Sequence, residues 1–150
     1  MHKLEIDPWF IEKARAIRGG RLNAYETIDA KKTALVVVDM QNYFVQDGMP
    51  SCAPIAQEIV PNINKLAAAT RKAGGMVVWI QTEGLIKNPD DWANRKEATS
   101  PKGWARRQKL LAKDGAGFPI YPTCDVRPED KIAIKIRYSA FRGGFLWALS

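Results

Sequence analysis

Two charged residues beside predicted strands are the strongest candidates for chemistry in this sequence. Asp39 directly follows the apolar run "TALVVV" (residues 33–38), and Lys135 lies in the alternating run "KIAIKIR" (residues 131–137). A carboxylate rarely continues a buried strand unless a cation or a hydrogen-bond donor compensates its charge. Taken alone, Asp39 is equally well explained as a turn cap, and Lys135 is typical of a solvated strand residue. If the third strand lies beside the first, however, the two side chains meet at one sheet edge.

The hydrophobic pattern predicts the elements that would position this pair. Residues 33–38 and "MVVWIQ" (76–81) are continuous apolar runs, as in parallel strands covered on both faces. Between them a helical stripe, closed by Gly74 and Gly75, is formed by Ile55, Ile59, Ile63 and Leu66. Residues 33–81 are therefore predicted to form a parallel β-loop-α-β unit. Strict alternation predicts a third strand over 131–137, and Ser139 is predicted to cap a last helix that runs to Ser150.

The N-terminal segment is predicted to be a separate helical arm. Asp7 suits the N-cap, Pro8 the first helical position, and Gly19 and Gly20 the stop. We expect residues 1–31 to pack on the domain or on a second subunit, and residues 32–150 to form that domain. The predicted fold class is α/β, a three-layer α/β/α Rossmann-like parallel sheet. With about three strands the sheet looks incomplete, so we expect a fragment, strands supplied by a partner, or a remodelled end.

Charge and hydropathy narrow the classes of partner. The formal net charge is +7, and the excess is concentrated in residues 94–113, with Trp92 and Trp104 nearby. This segment could bind nucleic acid, but no recognised nucleic-acid module accompanies it. We favour a solvated helix face whose tryptophans are buried, or a lid over an anionic substrate. The sequence has no apolar run that could span a membrane and no signal-peptide pattern, so we expect a cytoplasmic protein.

Cysteine and histidine usage argues against a disulfide framework or a metal site. Cys52 and Cys124 lie in different predicted loops and form no CxxC motif. His2 is the single histidine of the sequence. We therefore predict reduced thiols, no metal and no cofactor.

Three stretches together resemble the isochorismatase-like cysteine hydrolases. They are "ALVVVDMQNYF", "IVPNINKLAAATRKAGGMVVWIQTE" and "DKIAIKIRYSAF", in the family's order and from about Thr33 onward. The resemblance implies hydrolysis of a small amide, ureide or carbamoyl compound by an Asp-Lys-Cys triad, in a protein that forms homo-oligomers. By position, Asp39 matches the family's aspartate and Lys135 its lysine. We expect the substrate to contact Gln41, Phe44, Trp92, Tyr138 and Phe141.

The family's cysteine does not have a counterpart in the same motif here. It follows a segment of the type G-x-x-T-x-x-C-V on a later strand-to-helix turn, which this sequence does not contain. Cys52 and Cys124 are unfavourable substitutes, so we expect the nucleophile to lie outside this chain. Two alternatives stay open. One is vinyl-ether hydrolysis of isochorismate with the aspartate as acid, and the other is an inactive, truncated relative that acts as an assembly partner. The place of the nicotinamidase-type metal site reads "QTEGLIKN", which agrees with the prediction of no metal.

Overall fold

A three-stranded parallel sheet is the centre of the structure. The structure, a computed structural model, describes residues 5–84 and 92–141. Its strands are β1 (Ala34–Val38), β2 (Met76–Thr82) and β3 (Lys131–Lys135), in the spatial order β1-β2-β3. Both pairings are parallel. The predicted α/β class is therefore confirmed. The condition that the third strand adjoin the first is not met, because β2 lies between them.

Five α-helices accompany the sheet in the described part of the chain. They are α1 (Pro8–Ile17), α2 (Asn42–Val45), α3 (Ile55–Lys72), α4 (Ala93–Glu97) and α5 (Pro101–Leu110). The predicted N-cap at Asp7 forms, and Ser100, which also precedes a proline, caps α5 in the same way. Asp7 accepts a hydrogen bond from the Trp9 N–H at 2.8 Å, and Ser100 accepts one from the Gly103 N–H at 3.2 Å. None of these helices is long and apolar enough to cross a bilayer.

Helix α1 forms where the sequence predicts it but does not pack on the rest of the described chain. None of its residues is buried, and the side chains of Trp9, Phe10 and Ile17 are mostly exposed. The alternative that the arm packs against a second subunit stays a prediction.

Helix α3 packs on β1 and β2 with a different face from the one predicted. Its buried residues are Val60 and Ala67, and the partly buried Ala56 and Ile63 pack beside them. The predicted stripe is largely exposed, at 65% for Ile55, 45% for Ile59 and 56% for Leu66. The prediction was therefore wrong for these three residues and correct for Ile63, which packs on the core. Trp79 fills the core beneath the helix, and the smaller alanine and valine side chains let the helix approach it.

Only one face of β1 is covered by described residues. Val37 is buried in the core below α3, whereas Val36 and Val38 on the opposite face are 46% and 49% exposed. Within residues 5–84 and 92–141, the predicted coverage of β1 is therefore seen on one face only. Val78 and Ile80 of β2 are buried because β2 is the central strand and Ala140 packs against them. The predicted final helix lies, beyond Phe141, outside the described residues.

An ion-pair cluster holds the start of β3 against α3 and β2. Arg71 donates to both carboxylate oxygens of Asp130, at 2.8 and 2.6 Å, and the Trp79 Nε1–H donates to Asp130 at 2.8 Å. The Asp130 side chain is only 1% exposed. Burial by itself raises the pKa of Asp130, but the hydrogen bonds from Arg71, from the Arg127 main chain and from Trp79 outweigh it and lower that pKa. This cluster therefore helps to set the position of the strand that carries Lys135.

Candidate active site

Asp39 is the first residue after β1, and its backbone is in an unusual conformation. Its φ angle is 58°, in the left-handed region that aspartate tolerates better than most residues. The Asp39 N–H still donates to the Ile80 carbonyl at 2.9 Å. In this conformation the Asp39 carboxylate accepts two hydrogen bonds from residues of other strands.

Lys135 and Thr82 are the two donors to that carboxylate. Lys135 Nζ donates to Asp39 Oδ2 at 2.9 Å, and Thr82 Oγ1 donates to Asp39 Oδ1 at 2.8 Å. The Lys135 side chain is 6% exposed and that of Asp39 29%. Nζ also donates to the Tyr138 carbonyl at 3.3 Å. The predicted pair is thus formed, with most of the lysine removed from water.

Strand register explains how the pair forms across an intervening strand. Thr82 and Lys135 are Cα partners in the β2-β3 ladder, so their side chains lie on the same face of the sheet. Thr82 ends β2 between the two charged residues, and the long lysine side chain reaches past it to Asp39. Sequence reasoning missed Thr82. The available signal was a hydroxyl residue at the end of a buried apolar run.

Gln41 supports this site from inside the protein. It is fully buried and accepts a hydrogen bond from the Thr82 N–H at 2.6 Å. Its Nε2 donates to the carbonyls of Thr82 at 3.1 Å and Phe118 at 2.7 Å. With both ends of its amide occupied by main chain, Gln41 is not placed to contact a substrate. It instead joins the end of β2 to the loop before β3.

A small cleft opens beside the three bonded side chains. Its volume is about 110 Å³. Of the predicted substrate contacts, Phe44, Trp92 and Tyr138 line it, and the Trp92 and Tyr138 rings meet edge to face with centroids 5.0 Å apart. Phe141 is exposed and lines a different depression, on the apolar face of the sheet. The full lining of the cleft is Asp39, Tyr43, Phe44, Ser51, Thr82, Trp92, Arg95, Arg107, Lys135, Arg137 and Tyr138.

The basic segment contributes to this cleft through α4 and α5. Trp92 and Trp104 are buried, as predicted for a helix whose tryptophans face inward. The guanidinium carbons of Arg107 and Arg137 each lie 5.5 Å from the centroid of the Trp92 ring. Arg95 lies 5.8 Å from the Tyr138 ring centroid. Part of the sequence's basic excess therefore surrounds the Asp39–Lys135 pair.

Neither thiol of this chain lines the cleft. Cys124 is buried in the core, and burial raises its pKa to about 11. Cys52 donates to the Val45 carbonyl at 3.5 Å, and its pKa is raised by desolvation and by the nearby Asp47 carboxylate. A reactive cysteine needs a lowered pKa, so both environments disfavour a nucleophile.

The described residues also show no metal centre. Within 5–84 and 92–141, no three His, Cys, Asp or Glu side chains are grouped so that they could hold an ion.

Comparison with known proteins assigns the chain to a family. Residues 33–149 match the sequence profile of the isochorismatase domain family. The chain belongs to the isochorismatase family. Its relatives include a ureidoacrylate amidohydrolase from Cronobacter turicensis, 30% identical over 132 residues that cover 77% of this chain and 55% of the relative. A probable inactive nicotinamidase from Arabidopsis thaliana is 29% identical over 112 residues, covering 74% of this chain and 55% of its own length.

Solved structures of the family share the fold. A cysteine hydrolase from Pseudomonas syringae pv. phaseolicola superposes with a TM-score of 0.70 at 24% identity, covering 81% of this chain and 55% of that protein. An N-carbamoylsarcosine amidase from Thermoplasma acidophilum has a TM-score of 0.55 at 26% identity, with 73% and 55% covered. This isochorismatase-family chain spans about half the length of the curated relatives it matches.

Proposed function

We propose that this chain forms part of a cysteine hydrolase that cleaves a small amide, ureide or carbamoyl compound. The observation that carries the proposal is the 2.9 Å contact between Asp39 and Lys135 at the base of a cleft. In this role Asp39 is the proton acceptor, and Lys135 is the cation that favours a thiolate.

The proposed chemistry balances with water as the second reactant. A thiol gives its proton to Asp39, and the thiolate attacks the carbonyl carbon. The carbon–nitrogen bond then breaks, the amine leaves with the proton from Asp39, and water hydrolyses the resulting thioester. Because Cys52 and Cys124 are both poorly placed, we assign the nucleophile to a thiol outside residues 1–150.

The size and lining of the cleft support a small substrate. A volume of about 110 Å³ is several-fold below that of a drug-sized ligand pocket. In the proposal, Phe44, Trp92 and Tyr138 contact the substrate and exclude water. Two relatives support the substrate class, since their names specify ureidoacrylate and N-carbamoylsarcosine.

The test uses the whole protein, purified from its complete gene. Its intact mass is first compared with the 16.8 kDa of this chain, and ammonia release is then measured with ureidoacrylate and N-carbamoylsarcosine. We expect Asp39→Asn and Lys135→Met each to lower kcat by roughly 10²- to 10⁴-fold, because the first removes the proton acceptor and the second removes the cation that favours the thiolate. Asp114→Asn, which replaces an exposed carboxylate, is the matched control and should leave kcat unchanged.

The results separate the proposal from its alternatives. Full activity in either pair variant, with a folded protein by circular dichroism, would contradict the assigned role. Cleavage of isochorismate without release of ammonia from the amides would favour vinyl-ether hydrolysis. Absence of all three activities would instead favour an inactive assembly partner.

A further inference from the structure

We infer that helix α1 of one protein copy packs on the exposed side of helix α3 of a second copy, so that the N-terminal arm is a contact between subunits. The arm lies outside residues 33–149, the part of the chain that matches the isochorismatase family. The inference concerns assembly and does not depend on the proposed reaction.

Helix α1 presents an apolar strip that is mostly exposed in the described chain. Phe10, Ala14 and Ile17 follow one another at spacings of four and three residues, so they lie on one side of the helix. Phe10 and Ile17 are more than half exposed, and so is Trp9, whose ring meets that of Phe10 edge to face at 4.9 Å. Aromatic side chains carry much of the binding energy at protein interfaces. A ten-residue helix is marginal in water by itself, so this strip favours a packing partner.

Helix α3 has an exposed strip with the matching spacing. Its members, at alternating intervals of four and three residues, are Ile55, Ile59, Asn62, Leu66 and Ala69. All five are exposed, and three of them are large aliphatic side chains. This repeat is the one by which two helices pack side by side over several turns, and a single asparagine within it favours one register. The outer side of α3 is therefore suited to a second helix.

An antiparallel arrangement brings the two strips into register. When Phe10 lies opposite Leu66, the intervals of four and three residues along α1 equal those met backwards along α3. Ile17 then lies opposite Ile59. The largest side chains of the two strips are thus paired across the contact.

The charges at the helix ends favour this antiparallel direction. Helix α1 has Asp7 at its start and Arg18 at its end. Helix α3 has Glu58 in its first turn and Lys72 in its last. Reversing one helix places each acidic end beside a basic end, whereas a parallel contact would place like charges together.

The root of the arm favours a second copy over the same chain. Ala30 lies beside the basic end of α3, since a Cβ added at Gly75 would be 3.0 Å from the Ala30 carbonyl oxygen. The end of α1 that is nearer to this root along the chain is also its basic end. The shortest path within one chain would therefore set α1 parallel to α3, with like charges together. Exchange of arms between two copies removes this constraint and forms two equal contacts about a two-fold axis.

The test is disulfide cross-linking between two differently tagged copies of the whole protein, purified from its complete gene. One copy carries Ile17→Cys and the other Ile59→Cys, and the two are mixed and oxidised. Both replaced side chains are exposed, so neither substitution disturbs the core. Glu12→Cys and Ala68→Cys, at exposed positions outside the two strips, are the matched controls.

We expect the two tagged copies to cross-link in the mixture of Ile17→Cys with Ile59→Cys. At micromolar protein, a docked pair of thiols has an effective concentration of about a millimolar, so the rate should exceed that of the control mixtures by roughly 100-fold. The control mixtures also report any cross-linking through Cys52 and Cys124, which every copy retains.

Four results would overturn the inference. A cross-link that forms only when Ile17→Cys and Ile59→Cys are in one chain would place the arm on its own α3. Preferential cross-linking of Ile17→Cys copies with one another would pair two arms instead. Rates no higher than those of the controls, in protein that circular dichroism shows to be folded, would exclude docking on α3. Phe10→Glu in the Ile17→Cys copy should remove the enrichment, because it places a charge opposite Leu66, and its survival would contradict the packing.

Discussion

The buried carboxylate of Asp130 offers the most direct measurement of what holds this fold together. It accepts four hydrogen bonds: two from Arg71, at 2.8 and 2.6 Å, one from Trp79 at 2.8 Å and one from the Arg127 main chain at 2.9 Å. Asp130→Asn keeps the shape but removes the charge. If the remaining oxygen takes the position of Oδ2, the new amide donor faces the Nε–H donor of Arg71.

The cost of this substitution follows from the burial of both partners. The Asp130 side chain is 1% exposed and that of Arg71 14%, so solvent screens the pair weakly. Breaking a buried ion pair from one side costs about 3–5 kcal/mol. Since most acceptor contacts survive, we expect about 3 kcal/mol. This is a large share of the roughly 5–15 kcal/mol by which a typical domain is stable.

Urea unfolding followed by far-ultraviolet circular dichroism measures this loss directly. With a slope of about 2 kcal/mol per molar urea, the Asp130→Asn midpoint should fall by roughly 1.5 M. Glu129→Gln changes the neighbouring exposed carboxylate and should shift the midpoint little. An Asp130→Asn midpoint no lower than that of Glu129→Gln would refute the reasoning that this cluster holds β3 in place.

Three further predictions use other features of the structure. Folding lowers the pKa of Asp130 from its ordinary 3.8, so the stabilisation by its carboxylate is complete above pH 3.8 and is lost as the pH falls below it. The stability of Asp130→Asn should lack this loss in acid. An acid dependence of Asp130→Asn stability like that of the wild type would contradict the prediction. Thr82→Val removes one donor from Asp39 and should lower kcat for the proposed amide hydrolysis by about tenfold with little change in the urea midpoint, so unchanged kcat would exclude a positioning role. In the folded 150-residue chain, a disulfide exchange reagent should label Cys52 slowly and Cys124 only after unfolding, and rapid labelling of Cys124 would contradict its burial.

Predictions from local sequence succeed where a few neighbouring residues decide the outcome. The caps at Asp7 and Ser100 form because a polar side chain followed by proline satisfies main-chain donors at a helix start. The strands form where β-branched residues are consecutive or alternate with others, since such residues suit extended backbone. Asp39 and Lys135 meet because the C-terminal ends of parallel strands share one edge of the sheet.

Predictions fail where two local solutions are nearly equivalent. Helix α3 has two adjacent apolar stripes, and periodicity alone cannot say which one is buried. The choice depends on the shape of the sheet surface, where Trp79 shares the core cluster with Val60 and Ala67. In β3 the larger isoleucines, Ile132 and Ile134, are 38% exposed, while Ala133 and Lys135 are buried. Which face of β3 is buried depends on the segments that pack against each face, and the pattern of the strand itself does not show them.

The amino-acid sequence by itself determined the parallel α/β fold and the helix starts, because both depend on hydrophobic pattern and backbone preference, and it marked Asp39 and Lys135 only as candidates for a pair. Tertiary structure alone decided that β2 separates the two charged residues and that Thr82 bridges them. It also directed Gln41 into the interior and Arg107 into the cleft. These outcomes depend on strand order, register and packing between distant segments, and a pattern read along the chain carries little information about such contacts.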